Sequence, residues 1–299
     1  MTAAERDAEL ARTPMEVVGS QHGFVTGTAH SVRQIWGYRH LLFLLTRREI
    51  KVRYKDSAFG LVWSLIRPLA MLIVYYVAIG KFLGAERAIP DFAIYIFTGL
   101  TGWQLFNEIV ASSTSSILGN AGLIKKIYLP REVFPLSAVG SALFNFVVQL
   151  SILTVATFAI GKPPTLEGLT FLPLAIAVLI VYGTAIGLLT AAANVYLRDV
   201  QYLVEITLMV LFWTTPTVYS WELVRDAVDS PVVESLYLGN PVAVSILAMQ
   251  RTFWVAGAGA PAPENLGLRL VVMLAIGLLL LWISQRVFAR LEGNFAQEM

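Results

Sequence analysis

Arg47, Lys51 and Lys55 recur every fourth residue, so on a helix they stack along one face. With Arg48 and Arg53 they place five cations in positions 47–55, directly before an apolar run. Such a face can meet anionic lipid headgroups; the plainer reading is a topology anchor and nothing more. Other chemistry is sparse. His22, His30 and His40 all precede the apolar runs and have no metal-ligand spacing, so no metal site is expected. Cysteine is absent, which removes thiolate ligands, cysteine nucleophiles and disulfides. Gly80-Lys81 runs into Phe82 and Gly161-Lys162 into Pro163, where a phosphate-binding loop needs Ser or Thr for magnesium. The chain therefore reads as a non-enzyme with no cofactor of its own. Two carboxylates, Glu108 and Glu205, fall inside apolar runs, each near one end. Proton-coupled carriers keep theirs near the midplane, so these are expected to pair with basic loops instead.

The elements around these residues are membrane helices. Of 299 residues 57% are hydrophobic and 14% charged, against about 25% charged in a soluble domain. Runs of about 20 apolar residues are long enough to cross a bilayer. They occur at about 61–82, 92–111, 133–161, 169–197, 200–221 and 268–284, and predict an all-α membrane protein of six transmembrane helices. An even number of crossings puts both termini on one side. Sixteen of the 22 basic residues fall on that side and six on the other (Lys81, Arg87, Lys162, Arg225, Arg251 and Arg269), so both termini are expected in the cytosol. Residues 1–38 read as a flexible cytosolic leader, with Glu5, Arg6, Asp7 and Glu9 where a cleavable signal would need an apolar core. Residues 39–60 are expected to form an amphipathic interface helix, with Phe43, Ile50 and Tyr54 opposite the cations. The membrane domain spans 61–290 and a cytosolic tail 285–299. Arg67 is placed to snorkel towards the cytosolic surface, and Pro68 to mark the bend between interface helix and first span.

Between the second and third spans, Asn120 is a candidate N-cap for a short helix carrying Leu123, Ile124 and Ile127 against Lys125 and Lys126. It reads as a docking element for another protein, or as a passive interfacial turn. Arg198 and Asp199, in the second cytosolic loop, are also available to a partner. On the far side, Asn240 and Pro241 read as N-cap and first residue of a short helix in the segment 222–266. That helix either re-enters the membrane and closes the outer mouth of a channel, or caps it in solvent. Tyr75, Tyr76, Trp103, Phe106, Trp213 and Tyr219 could line a path for sugars, whose apolar C–H faces stack on aromatic rings; interfacial belts and lipid-facing packing are the alternative. Asn145 and Gln149 share one face of the third span, where amides commonly join helices.

The stretch "RREIKVRYKDSAFGLVWSLIRPL" resembles the lead-in to the first span of type-2 permeases in ATP-binding-cassette exporters of polysaccharides. Arg48, Glu49, Ile50, Lys51, Arg53, Tyr54, Ser57, Phe59, Gly60, Trp63, Pro68 and Leu69 occupy the motif positions, with Phe59 in place of the commoner Leu. The resemblance continues through "NAGLIKKIYLP", "RDVQ", "TTPTVYS", "GNPVAV" and "FARLEGNFAQ", covering about residues 40–297. It implies a homodimeric permease in the bacterial inner membrane that exports a polyprenyl-diphosphate-linked glycan such as O-antigen, teichoic acid, capsule or galactan. Two copies of a separate ATPase subunit would hold the ATP and magnesium, and nucleic acid is not implied as a partner. Arg48, Glu49, Lys51, Arg53, Asn120, Leu123, Lys125, Lys126, Arg198 and Asp199 would then lie on the surface that receives the ATPase. Arg47, Lys51 and Lys55 would meet the lipid diphosphate, and Asn240 and Pro241 would belong to the outer gate. A drug or small-lipid exporter of the same superfamily shares the fold. A membrane-bound glycosyltransferase would need acidic cytosolic loops for a metal-bound nucleotide sugar, and these loops are basic.

Overall fold

The computed structural model describes residues 26–54, 62–126, 129–227, 230–257, 259–261 and 263–298. Residues 1–25 of the leader, Lys55, Ser57, Phe59, Gly60 and Ile127 lie outside the described residues. Every regular element among those described is helical. Two helices precede the membrane domain, α1 (Thr26–Gly37) and α2 (Arg39–Tyr54). The first apolar run begins as α3 (Trp63–Tyr75) and continues as a π-helical stretch, Tyr76–Phe82. Then come α4 (Phe92–Gly119), the single turn α5 (Ala121–Ile124), α6 (Val133–Ala159) and α7 (Leu166–Tyr196). The remainder comprises α8 (Val200–Trp213), α9 (Trp221–Ala227), α10 (Pro231–Tyr237), α11 (Pro241–Phe253), α12 (Leu266–Leu291) and α13 (Phe295–Glu298).

By length and apolarity α6, α7 and α12, the last with its 3-10 extension to Asn294, can cross a membrane. Helix α4 is also long, 28 residues or about 42 Å, but polar along one face. Helix α8 differs from expectation: it stops at Trp213, after about 21 Å, where a crossing needs about 30 Å. The cause is local. Pro216 has no N–H and disfavours helical backbone at Thr215, so the chain turns through Thr214–Ser220. Pro68 likewise does not mark the bend expected there. It lies inside α3, which runs helically through it, because a span tolerates one missing backbone bond.

Helix α7 is the centre of the bundle, packing on α4, α12 and α11. Lipid tails give helices little reason to associate, so close approach and hydrogen bonds must do so. Gly183 and Gly187 supply the approach: a Cβ at Gly187 would stand 2.7 Å from Ser113 Cβ, and one at Gly183 2.9 Å from Ile109 Cγ2. Thr114 and Thr190 hydroxyls meet at 2.7 Å, and Asn194 Nδ2 donates to Thr114 O at 3.1 Å, so bonds continue the same seam. Outward faces stay apolar, with Val147 and Val155 exposed on α6, Leu203 and Ile206 on α8, and Leu268 and Leu278 on α12. A bundle embedded in lipid presents such a surface.

Helix α11 caps this bundle from the end opposite α1 and α2. Asn240 accepts from Val242 N at 3.0 Å and Ala243 N at 3.4 Å, and Pro241 fills the first helical position, as its residue types predict. The helix is buried along nearly its whole length between α4, α7 and α12, which no solvent-exposed cap would be. Asn240→Ala is expected to cost about 1 kcal/mol. That lowers the melting temperature of the purified chain by about 2–4 °C, whereas Asn240→Asp leaves it in place.

The leader is less featureless than its composition implies. Its described part forms the 12-residue α1, held to α12 by two side-chain bonds. Trp282 Nε1 donates to Thr28 Oγ1 at 2.9 Å, and Arg286 Nη2 donates to Ser31 Oγ at 2.9 Å. These partners lie 254 and 255 residues apart in sequence, so no local signal announces the helix. Beside them Glu132, buried at the start of α6, accepts from Gln285 Nε2 at 2.6 Å, and burial pushes its carboxyl above the ordinary range.

Candidate functional site

Helix α2 is fastened to the bundle at successive points along its length. Leu45 is buried in an apolar cluster with Ile117, Phe134 and Val195, and Gly140 of α6 admits Thr46. Ser137 Oγ donates to Glu49 Oε1 at 2.5 Å; burial raises the Glu49 carboxyl, against the lowering effect of Ser137, Arg53 and Arg48. Arg48 Nη1 donates to Asn120 Oδ1 at 3.1 Å, and Arg53 Nη1 donates to Glu108 Oε1 within an ion pair. The inward stripe is thus Leu42, Leu45 and Glu49, not the one centred on Phe43 and Ile50 that the apolar pattern predicts. Phe43 is exposed and Ile50 only half-buried, while the Tyr54 side chain lies outside the described residues. The reason is tertiary: the contact with Gly140 selects the Leu45–Glu49 side.

The residues expected to receive an ATPase accordingly divide. Arg48, Glu49, Arg53 and Asn120 are engaged in bonds within the chain, and Leu123 is half-buried on the Leu45 cluster. Lys51, Lys125, Lys126, Arg198 and Asp199 are exposed at the same end of the bundle. Asn120 does not cap α5 with its side chain. It closes α4 instead, its Nδ2 donating to Ser116 O at 2.9 Å, because it sits where one helix ends as the next begins. Gly140→Leu is expected to push α2 off α6, since its Cβ alone would fall 2.7 Å from Thr46 Oγ1. Overpacking of about 1–3 kcal/mol corresponds to roughly tenfold faster tryptic cleavage at Arg47 and Lys51, measured on detergent-solubilised protein, with Thr46→Ala relieving it.

Beyond the Arg53–Glu108 pair lies a cavity of about 1040 Å³ between α3, α4, α6 and α8. On α4 its wall runs from Leu100 to Ser112, about 18 Å of helix. Arg53, Arg67 and Trp63 stand at one end; Gln104, Asn107, Glu108, Asn145 and Gln149 follow; Tyr75, Trp103, Phe212 and Trp213 complete the far wall. Glu108 also accepts from Asn145 Nδ2 at 2.7 Å, so α2, α4 and α6 meet at one carboxylate. Glu205 of α8 faces the same cavity from an exposed position and accepts from Gln201 Nε2 at 3.4 Å.

Of the six aromatics expected on a path, Tyr75, Trp103 and Trp213 line this cavity. The other three do not. Phe106 is buried in the core, and Tyr76 packs on Phe92 with its hydroxyl donating to Glu86 Oε2 at 3.0 Å. Tyr219 donates to Trp213 O at 2.9 Å, holding the turn after α8. Rings at the cavity also cover one another: Phe212 lies 5.4 Å from Trp103 and 5.9 Å from Tyr75, centroid to centroid. Open ring surface is left chiefly on Trp213, 56% exposed, and Trp63, 46% exposed. Arg47 and Lys51 are exposed on α2 but do not line the cavity; Arg53 and Arg67 do. Gln104, Asn107 and Ser112 are wall residues missing from the sequence-based expectation. Their signal is a polar stripe at three- to five-residue spacing in an otherwise apolar run.

A wall of amides, two guanidinium groups balanced by two carboxylates, and a few open aromatic rings among apolar side chains suits a hydroxyl-rich ligand with apolar faces. Comparison with known proteins bears on which. A sequence profile described as ABC-2 type transporter matches residues 40–254. The O-antigen export system permease protein RfbA of Myxococcus xanthus is 29% identical over 268 residues, 90% of this chain and 98% of that protein. The protein of the same description from Klebsiella pneumoniae is 27% identical over 257 residues, 86% and 94% of the two chains. The polysialic acid transport protein KpsM of Escherichia coli is 23% identical over 228 residues, 68% and 84%. The match takes in α2, the cavity helices and α11, and this chain is an integral membrane protein belonging to the ABC-2 type transporter family.

Proposed function

We propose that the chain is the membrane subunit of an ATP-driven exporter that carries a polyprenyl-diphosphate-linked polysaccharide out of the cytoplasm across the inner membrane. The observation that carries this reading is the cavity of about 1040 Å³ beside α2, with amides, charged groups and open rings set among apolar side chains, in a chain similar to an O-antigen export system permease protein and a polysialic acid transport protein. The chain crosses the membrane six times, the short α8 completing its crossing through the turn that follows it, with both termini cytosolic, and works as a homodimer. Two copies of a separate subunit bind ATP and magnesium. The exposed Lys51, Lys125, Lys126, Arg198 and Asp199 receive that subunit, and α2 passes its movement through Arg53 and Glu108 to the cavity wall. Arg47, Lys51 and Lys55 attract the lipid diphosphate along the membrane surface. The segment 222–266, with α11 capped by Asn240 and Pro241, is the outer gate.

Gentle solubilisation and pull-down of the full chain tests the energy source. The expected result is a soluble subunit with a phosphate-binding loop, recovered one for one. Folded chain recovered alone, from membranes that still export, would overturn it.

A further inference from the structure

A second cavity, of about 250 Å³, lies at the end of the bundle away from α2. Its walls come from residues 88–90, Tyr95 of α4, Ser220 to Glu222, the last two turns of α11, and residues 254, 256, 257, 259–261, 263 and 266. The main cavity stops at Trp213 and this one begins at Ser220, so the Thr214–Ser220 turn separates them. That partition is pinned from both flanks. Tyr95 donates its hydroxyl to Tyr219 O at 2.7 Å, and Gln250 Nε2 donates to Pro216 O at 2.8 Å. Along α4 only about 7.5 Å separate Tyr95 from Leu100, where the main cavity starts.

Two indoles line the pocket, Trp221 and Trp254, and the second is fixed from several sides. Trp254 Nε1 donates to Pro90 O at 2.5 Å, and its ring meets Tyr95 edge-on with centroids 4.9 Å apart. Gly257 passes so close that a Cβ there would stand 2.1 Å from the indole, so glycine is needed for the ring to lie where it does. Among the described residues, the non-glycine positions with left-handed backbone are Asp91 at φ 51° and Asn265 at φ 55°. Each adjoins a lining residue, Pro90 and Leu266. Each is also the residue from which a long helix starts, and Asp and Asn are side chains that accept this backbone. The rest of the wall is mostly apolar, Ile89, Leu247 and Leu266 among it, and Glu222, Arg251, Gln250 and Ser220 add an acid, a base, an amide and a hydroxyl to the same small space. Arg251 also reaches Glu167 outside the pocket, at 3.9 Å.

That combination selects a ligand class. An acyl chain would match the apolar wall but lay hydrocarbon against the charges of Glu222 and Arg251; a simple anion would meet Glu222, and a simple cation Arg251. A neutral polyol with one apolar face suits them together, stacking on Trp254 and bonding to the rest. We infer that the pocket is a saccharide subsite for a single pyranose-sized unit, holding the exported chain just beyond the Thr214–Ser220 turn. The inference rests on the polysaccharide reading of the main cavity.

The test is saturation-transfer NMR on the full chain in nanodiscs, with the methyl glycosides of glucose, galactose, mannose, rhamnose and N-acetylglucosamine as probes. At least one is expected to receive magnetisation on its ring C–H protons. The transfer should fall about fivefold or more in Trp254→Leu, the loss of one stacking contact. Glu222→Ala, which leaves the indole's supports intact, should also weaken it, while Gln104→Ala in the main cavity should not. No transfer to any probe, or transfer indifferent to both Trp254→Leu and Glu222→Ala, would overturn the subsite. Failure of the export reading looks different: cells lacking the chain would then display normal surface polysaccharide, whatever the pocket binds.

Discussion

Arg53→Glu is expected to stop export almost completely, to below about a tenth of the wild-type rate, with Arg53→Ala intermediate and Glu108→Gln the mildest of the three. Glu108 is held inside the bundle by Arg53 from α2 and by Asn145 from α6. Removing one partner of a buried ion pair costs about 3–5 kcal/mol because the other charge is left uncompensated. The Arg53 side chain is 38% exposed, so water screens part of that, and about 1–2 kcal/mol is the appropriate scale for Arg53→Ala. Reversal adds repulsion between two carboxylates. Glu108→Gln keeps an acceptor for both neighbours and puts no charge into the membrane. Thermal unfolding of the purified chain separates stability from transport. Arg53→Ala should lower the melting temperature by about 2–8 °C, and a double-mutant cycle with Glu108→Gln should show a coupling of about 0.5–3 kcal/mol. Export falling no further than stability explains would deny the pair its part in transmission.

Gly187→Leu should leave almost no folded protein. The seam between α4 and α7 has no space at that position, the new Cβ lying 2.7 Å from Ser113 Cβ and 3.0 Å from its Oγ. Overpacking commonly costs about 1–3 kcal/mol, and a branched side chain must also force apart the Thr114–Thr190 contact and the Asn194–Thr114 bond further along. Where close approach and interhelical bonds are what hold helices together, losing both is decisive. The yield of monodisperse protein after detergent extraction should drop to under about a tenth; Gly187→Ala should fall between. Wild-type yield from Gly187→Leu would mean that the two helices do not pack as described.

The long helices are legible in the sequence because apolar length is a local property: α6 and α7 begin and end within three residues of their expected bounds. The cap of α11 is legible for the same reason, since Asn240 and Pro241 act on their own backbone. Non-local partners hide the rest. Helix α1 depends on Trp282 and Arg286, and the buried face of α2 on Gly140. Among the aromatics, residue type is a weak guide because a ring's role depends on what covers it. Phe106 and Trp103 are neighbours on one face of α4 and both pack in the core, yet only Trp103 reaches the cavity. The pairing of Glu108 with a basic element follows from the sequence, but the same expectation for Glu205 does not hold, since it stands exposed on the cavity with Gln201 as its partner.

On this reading polysaccharide passes through the cavity beside α2. The chain contains no cysteine, so Gln104→Cys introduces a unique thiol on the cavity wall. Surface polysaccharide is then followed in cells carrying this variant, before and after modification by a bulky maleimide or by a small methanethiosulfonate. The bulky adduct is expected to stop export while the small one leaves it running. Full modification by the maleimide with export continuing at the unmodified rate would contradict passage through the cavity.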